Sequence, residues 1–108
     1  MLETNSEATK PVTDGVILKI PGVIEGKMFG YMGYKVNGKM FALLCGNGIA
    51  VKLPKERVAS LLERSDAKPF EPKEGNVWKE WVLIEPADPN KLANEEALYL
   101  ESVEYVTP

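Results

Sequence analysis

The sequence predicts an α+β domain in two layers, with a five-stranded antiparallel sheet that carries its helices on one face. Two observations predict this class. Short segments dense in apolar residues and separated by glycine-containing turns favour strands, and the first three of them follow one another directly. Two longer segments have apolar residues at helical spacing, one after the third strand and one after the fifth. The predicted order of elements is therefore α-β-β-β-α-β-β-α.

The N-terminal residues are predicted to form a flexible tail over 1–11, followed by a single domain over 12–108. The tail is polar and lacks the basic start and apolar stretch of a secretory signal. Asp14 is a candidate cap for a brief first helix, which Gly15 weakens. Pro21, followed by glycine, is predicted to end that helix.

A β-hairpin is predicted at Asn37-Gly38, because a type I′ turn needs positive φ at both of its central residues. The paired strands are expected over about 28–36 and 39–45, and a third strand over 49–53 completes a meander. Replacing Gly38 with valine is expected to cost more than about 1 kcal/mol.

The two-residue turn also predicts the register and the faces of the sheet. The expected opposite pairs are Val36 with Lys39, Lys35 with Met40, and Tyr34 with Phe41. The face packed on the helices is then predicted to contain Met32, Tyr34, Phe41 and Leu43. The other face is predicted to contain Phe29, Tyr31, Lys35, Met40 and Leu44.

The second half of the sequence supplies two helices and two strands. Pro54 is predicted to open the second helix, at the position where its missing N–H costs least. An extended piece at 69–72 and a strand over 77–86 follow. The last helix is expected to start at Asp88-Pro89 or Asn90. Its predicted buried stripe comprises Leu92, Ala93, Ala97, Leu100 and Val103.

The segment "IPGVIEGKMFGYMGYKVNGKMFALLCGNGIAVKLPKE", followed in order by "KPFEP" and "WKEWVLI", resembles the TfoX N-terminal-domain-like family, which is related to YjbR-like and secretion-chaperone-like folds. The resemblance covers roughly residues 20–106. The matching positions are Met28, Phe29, Gly30, Gly33, Gly38, Lys39, Met40, Phe41, Ala42, Lys52, Pro69, Phe70 and Trp81. The helical pattern of the first helix is weaker here than in relatives. The competence regulator after which the family is named has a second, helical domain, and no counterpart of that domain is expected here.

The composition excludes several kinds of chemistry. The chain contains no histidine and one cysteine, Cys45, which excludes serine–histidine and cysteine–histidine nucleophile systems and an ordinary structural zinc site. The net charge of −3 gives no broad attraction to phosphate backbones. We therefore expect a cytoplasmic, non-enzymatic protein without a cofactor, metal or membrane partner.

The expected role is that of a small interaction or regulatory domain, as the resemblance implies, whose partner is another protein or a second copy. The candidate interaction surface consists of Phe29, Tyr31, Lys35, Met40, Leu44 and Trp78. The alternative is a nucleic-acid-associated regulator, which is not favoured. Its candidate basic patch consists of Lys27, Lys35, Lys39 and Lys52.

Two further patterns have simpler interpretations. The methionines at 28, 32 and 40, with Cys45, are ligand types for copper(I), but such residues more often fill cores. The aromatic residues Phe29, Tyr31, Tyr34 and Phe41 could form a stacking platform for single-stranded nucleic acid, but such platforms lie in a basic groove. We expect core positions for the methionines and Cys45, and core positions or a protein-binding surface for the aromatic residues.

Overall fold

The computed structural model of the chain describes residues 8–107. Its strands are β1 (Val23–Met28), β2 (Tyr31–Val36), β3 (Lys39–Cys45), β4 (Gly48–Lys52), β5 (Ala67–Lys73) and β6 (Asn76–Ile84). Its helices are α1 (Thr9–Ile17), α2 (Lys55–Leu61), a 3-10 helix (Pro89–Asn94) and α3 (Glu96–Val106). All strand pairs are antiparallel, and their order in the sheet is β1-β2-β3-β4-β6-β5.

Within residues 8–107 the sheet has six strands, so the prediction of five was wrong by one. The predicted strand over 28–36 is the end of β1, a tight turn at Phe29-Gly30, and β2. Both turn residues have positive φ, 53° and 84°. Phenylalanine rarely adopts this conformation, so the sequence does not predict a turn at this position.

The predicted hairpin at Asn37-Gly38 is confirmed. Val36 and Lys39 are paired, and the two residues between them have φ values of 52° and 77°. The strand predicted over 39–45 coincides with β3. The second helix begins directly after Pro54, as predicted. Of the tail predicted over 1–11, residues 1–7 lie outside the described residues, and α1 already begins at Thr9.

Asp14 lies inside α1 and does not cap it. Its carboxylate instead accepts a hydrogen bond of 2.6 Å from the hydroxyl of Tyr34, which also lies 2.6 Å from the Thr13 hydroxyl. Lys10 forms ion pairs with Asp14 and with Glu25 of β1. Desolvation, reinforced by the bond to Asp14, raises the pKa of Tyr34. These contacts fix α1 on the sheet.

The helix-side core contains buried apolar side chains from each of α1, α2 and α3. Its sheet residues include Val36, Phe41, Ala42, Leu44, Ile49, Val51, Val82 and Ile84. The hydroxyl of Ser102 in α3 reaches the backbone carbonyl oxygens of Lys52, at 2.6 Å, and Phe41, at 3.3 Å. This side chain therefore ties α3 to β3 and β4.

A β-bulge at Phe41 changes the register of the hairpin. Lys35 pairs with Met40 as predicted, but Tyr34 pairs with Ala42, so Phe41 is an extra residue without an opposite partner. Alternation is interrupted at the bulge, and Phe41 and Ala42 both contribute to the helix-side core.

The bulge decides which face predictions hold. Tyr34 and Phe41 are in the helix-side core and Met32 packs against it, as predicted. The predicted placement of Leu43 and Leu44 was wrong, because beyond the bulge the parity is reversed. Leu43 lies on the opposite face, and Leu44 is buried beneath the helices.

The last helix is interrupted. The Asp88 carboxylate accepts a hydrogen bond from the Asn90 N–H, so the start at Asp88-Pro89 is confirmed, but it opens the 3-10 helix, and α3 follows only after Glu95. The interruption shifts the buried stripe of α3 to Leu98, Tyr99, Ser102 and Val106. The predicted stripe is thus wrong at Ala93, Ala97 and Leu100, which are exposed.

The sheet curls strongly about its second face. Tyr31 of β2 and Phe70 of β5 have ring centroids 6.0 Å apart, although four strand spacings separate these strands in the sheet order. In a flat sheet four spacings are about 19 Å. The curl therefore brings the two ends of the sheet together around a second core.

Candidate functional site

The second core fills the concave face of the sheet. Its buried members are Tyr31, Leu43, Cys45, Ala50, Phe70, Trp81 and Leu83. Met28, Met40 and Trp78 pack against it and are partly exposed. A two-layer arrangement with its helices on one face leaves the second face of the sheet uncovered, but curvature lets one chain bury most of that face with its own side chains.

A chain of aromatic contacts leads from this core to the surface. The ring of Phe70 lies 5.5 Å from that of Trp78 and 6.1 Å from that of Trp81. Trp78 in turn contacts Phe29, with ring centroids 5.3 Å apart in an edge-to-face arrangement. Phe29 and Trp78 are here called the aromatic rim, because they form the exposed end of this series of ring contacts.

Phe29 is unusual in both its exposure and its backbone. Its side chain is 72% exposed, and its φ of 53° lies in the left-handed region. Asparagine and glycine accept this region at lower cost, as the Asn37-Gly38 turn shows. Strained backbone of this kind is concentrated at functional sites, so a large and mostly exposed apolar side chain on such backbone marks a candidate functional site.

Trp78 borders three surface grooves. We call the largest of these, about 600 Å³ in volume, the rim groove. It is lined by Met28, Phe29, Lys39, Met40, Lys52, Trp78, Glu80, Trp81, Tyr105 and Val106. A second groove, of about 470 Å³, lies beside Phe29, Tyr31, Pro72 and Trp78. The third, of about 420 Å³, lies between Trp78 and α2. The two residues of the aromatic rim thus line both the rim groove and the second groove.

Charged groups edge the rim groove. Lys39 and Lys52 supply two positive charges. Glu80 supplies a negative charge and accepts a hydrogen bond of 2.6 Å from the Tyr105 hydroxyl, which raises the pKa of that hydroxyl. The groove therefore has aromatic side chains at its base, with two positive charges and one negative charge along its edge.

The structure brings together five of the six residues predicted for the interaction surface. Tyr31, Lys35 and Met40 lie on the concave face, while Phe29 and Trp78 form its rim. Tyr31 is only 4% exposed, so it supports the surface from below. Leu44 was wrongly included, because the bulge at Phe41 turns it into the helix-side core, where it is fully buried.

The predicted basic patch does not form one surface. Lys35 pairs with Met40 and Lys52 pairs with Trp81, so both lie on the concave face. Lys27 pairs with Met32, which packs against the helix-side core, and therefore lies on the other face. Lys39 pairs with Val36 of the same core, although its side chain also lines the rim groove.

Two residues of the site were missing from the predicted surface: Phe70 and Trp81. Trp81 is one of the positions that match the family. Regular strand alternation would place its side chain on the other face of the sheet from Trp78, three residues earlier. An irregular pairing of β5 with β6 leaves Phe70 opposite Trp78 and brings the two tryptophan rings to 5.8 Å. The aromatic content of "PF" and "WKEW" was the available signal.

The described residues show neither a metal-binding group nor a membrane-spanning helix. Within 8–107, no three or more histidine, cysteine, aspartate or glutamate side chains are grouped so that they could hold a metal ion. Cys45 is buried in the second core. None of the helices in this range combines the length and apolar character needed to cross a membrane.

Comparison with known proteins identifies the family. No curated protein and no solved structure matches the chain significantly. The family model of the TfoX N-terminal domain matches residues 17–99, which include every strand of the curled sheet and the aromatic rim. The chain therefore belongs to the TfoX N-terminal domain family.

Proposed function

We propose that this domain is a non-enzymatic interaction module that binds a protein partner at the aromatic rim. The observation that carries the proposal is Phe29, a mostly exposed aromatic side chain held in left-handed backbone against Trp78. Exposed aromatic residues backed by a well-packed layer are typical anchors of protein interfaces. Family membership supports a regulatory setting comparable to that of a competence regulator.

The chemistry of the rim groove suggests the kind of partner. Methionine and tryptophan side chains at its base suit an aromatic or aliphatic anchor, and methionine adapts to different shapes. Lys39 and Lys52 favour an acidic residue next to that anchor. The proposed ligand is therefore an extended segment of another protein with one large apolar and one acidic side chain.

The experiment compares capture of cell proteins by the wild-type chain and by Phe29→Asn. Asparagine suits the turn better than phenylalanine, so the variant should stay folded while it loses the anchor. Leu18→Asn removes another exposed apolar side chain, which follows the end of α1 and lines none of the three grooves, and serves as the matched control. We expect a protein retained by wild type and Leu18→Asn and lost with Phe29→Asn.

A direct titration then completes the test. The captured protein, made separately, should change the tryptophan fluorescence of the domain, since Trp78 lines the groove. A captured protein that binds Phe29→Asn as tightly as wild type would show that the rim is not the binding surface.

Binding to nucleic acid is the weaker alternative. The four lysines of the candidate basic patch are divided between two faces of the sheet, and the chain carries a net charge of −3. We expect no change in the anisotropy of labelled single- or double-stranded DNA at low salt. Binding that weakens steeply with added salt would favour the alternative instead.

A further inference from the structure

The outer edge of β1 is open within the part of the chain that the structure describes. β1 is the first strand in the sheet order and pairs there with β2 alone. Ile24 is 57% exposed, and Glu25 and Lys27 are exposed. The opposite edge, β5, is protected by Pro69 and Pro72, which lack N–H donors. β1 has no such protection over its six residues.

The turn after β1 determines which backbone groups face this open edge. The Phe29-Gly30 turn joins Met28 to Tyr31, so the backbone groups of Met28 point to β2. Groups alternate along a strand, and those of Glu25 and Lys27 therefore point outward. Consistent with this alternation, the Val23 N–H also points away from β2 and donates to the Ile20 carbonyl.

The side chains of β1 are complementary to a second β1 in antiparallel orientation. With Gly26 on a two-fold axis, Glu25 of one copy lies opposite Lys27 of the other, twice. Both pairs lie on the helix side of the sheet, where Glu25 already meets Lys10. On the concave side, Ile24 lies opposite Met28 of the second copy. Charge and apolar character thus match in one register.

The same register agrees with the backbone pattern. Two residues that lie opposite each other form backbone hydrogen bonds only if the N–H and C=O groups of both point at the partner strand. Glu25 of one copy and Lys27 of the other meet this condition. They supply four backbone hydrogen bonds across the two-fold axis. The central pair is then a non-hydrogen-bonded pair, the kind in which strands approach most closely, about 4.5 Å between Cα atoms. Glycine at position 26 leaves room for this approach.

We propose that the protein forms a symmetric dimer through β1, in which two sheets join into one continuous twelve-stranded sheet. The two-fold axis is perpendicular to the sheet, so the helices of both copies lie on the same side. The contact consists of one short strand from each copy, which places it among small, reversible interfaces. Dissociation in the micromolar range, roughly, is therefore expected.

Analytical ultracentrifugation of the full chain over a wide concentration range tests the proposal. Lys27→Pro removes an outward N–H and leaves the bonds between β1 and β2 intact, so the monomer should stay folded. We expect a concentration-dependent dimer for wild type and at least a hundredfold weaker association for Lys27→Pro. Circular dichroism verifies that the variant is folded.

A charge exchange tests the register. Lys27→Glu places two like-charged pairs across the interface and should weaken association about tenfold. Lys19→Glu, at an exposed residue outside β1, makes the same change in net charge and should have no effect. The double variant Glu25→Lys/Lys27→Glu restores opposite charges in this register and should recover most of the lost association.

Amide hydrogen exchange of the wild-type chain provides a measurement without substitutions. The amides of Glu25 and Lys27 should become more protected as the protein concentration rises, while that of Asn37 should not change. A wild-type chain that stays monomeric at several hundred micromolar overturns the proposal. So does a dimer that Lys27→Pro leaves unchanged. The rim function is tested separately, since the monomeric Lys27→Pro variant retains Phe29 and Trp78.

Discussion

Gly33 and Gly38 allow steric contact and backbone strain to be measured separately in one hairpin. Gly38 has a φ of 77°, and a Cβ atom there would meet no other atom within 4 Å. The backbone of Gly33 is outside the left-handed region. A Cβ atom added at this position, however, would lie less than 3.0 Å from the carbonyl oxygen of Ala42, and real Cβ atoms essentially never approach another atom so closely. Each glycine therefore has a single reason to be there.

The expected costs of substitution by alanine differ accordingly. Gly38→Ala should lower the free energy of unfolding by about 1 kcal/mol, the cost of left-handed backbone for a residue with a Cβ. Gly33→Ala should lower it by about 3 kcal/mol or more. The obstructing atom belongs to the backbone of β3 and cannot rotate away, and the side chains of Leu43 and Met40 also approach to 3.0 Å.

Urea unfolding followed by tryptophan fluorescence and by circular dichroism measures both costs. At a typical slope for a chain of this size, Gly33→Ala should move the midpoint by roughly 2 M and Gly38→Ala by less than half of that. Gly38→Val, with a β-branched side chain, should cost more than Gly38→Ala. Equal costs for Gly33→Ala and Gly38→Ala would refute the close approach of β2 and β3 at the bulge.

Three further substitutions test contacts that hold the helices on the sheet. Tyr34→Phe removes hydroxyl hydrogen bonds to two side chains of α1 and should cost about 1–2 kcal/mol in urea unfolding, against no loss if α1 is held by apolar packing alone. Ser102→Ala should cost a similar amount, because the backbone carbonyl oxygen of Lys52 in β4 loses the hydroxyl donor that lies 2.6 Å away. Arg64→Met breaks ion pairs with Asp66 and Glu95, at 2.8 and 2.6 Å, and should cost about 1 kcal/mol at pH 7. The hydrogen bonds from Arg64 hold the pKa of Asp66 in the folded protein below its ordinary 3.8. This part of the stabilisation is therefore present above pH 3.8 and is lost as the pH falls through the pKa of Asp66 in the folded protein. A cost of Arg64→Met that stays constant down to pH 2 would contradict this assignment.

Features fixed by a few neighbouring residues could be predicted from the sequence. Asn37-Gly38 determines its own turn through the φ values that only such residues accept at low cost. Pro54 ends one segment and starts α2 by the same local logic. Strand alternation counted from the Asn37-Gly38 turn also placed Tyr31, Lys35 and Met40 on one face, because the first bulge lies beyond these residues.

Features that depend on an interrupted alternation could not be predicted. The bulge at Phe41 arises where β3 passes close to Gly33, and this approach is a property of the folded sheet. One extra residue there exchanges the faces of Leu43 and Leu44. The irregular pairing opposite Phe70 likewise brings Trp78 and Trp81 together despite their odd spacing. Counting residues from a turn is reliable only up to the first bulge.

The three tight turns that join β1 to β4 have a consequence for the order of folding. Each of them contains two residues, so residues 23–52 form four paired strands in which every partner is close in sequence. Closing such short loops costs little chain entropy, whereas pairing of β4 with β6 must span the segment that contains α2. We therefore expect the meander to form first, with β6 and β5 adding to it late. Substitutions in the Asn37-Gly38 turn should slow folding, and those at Trp81 should mainly accelerate unfolding.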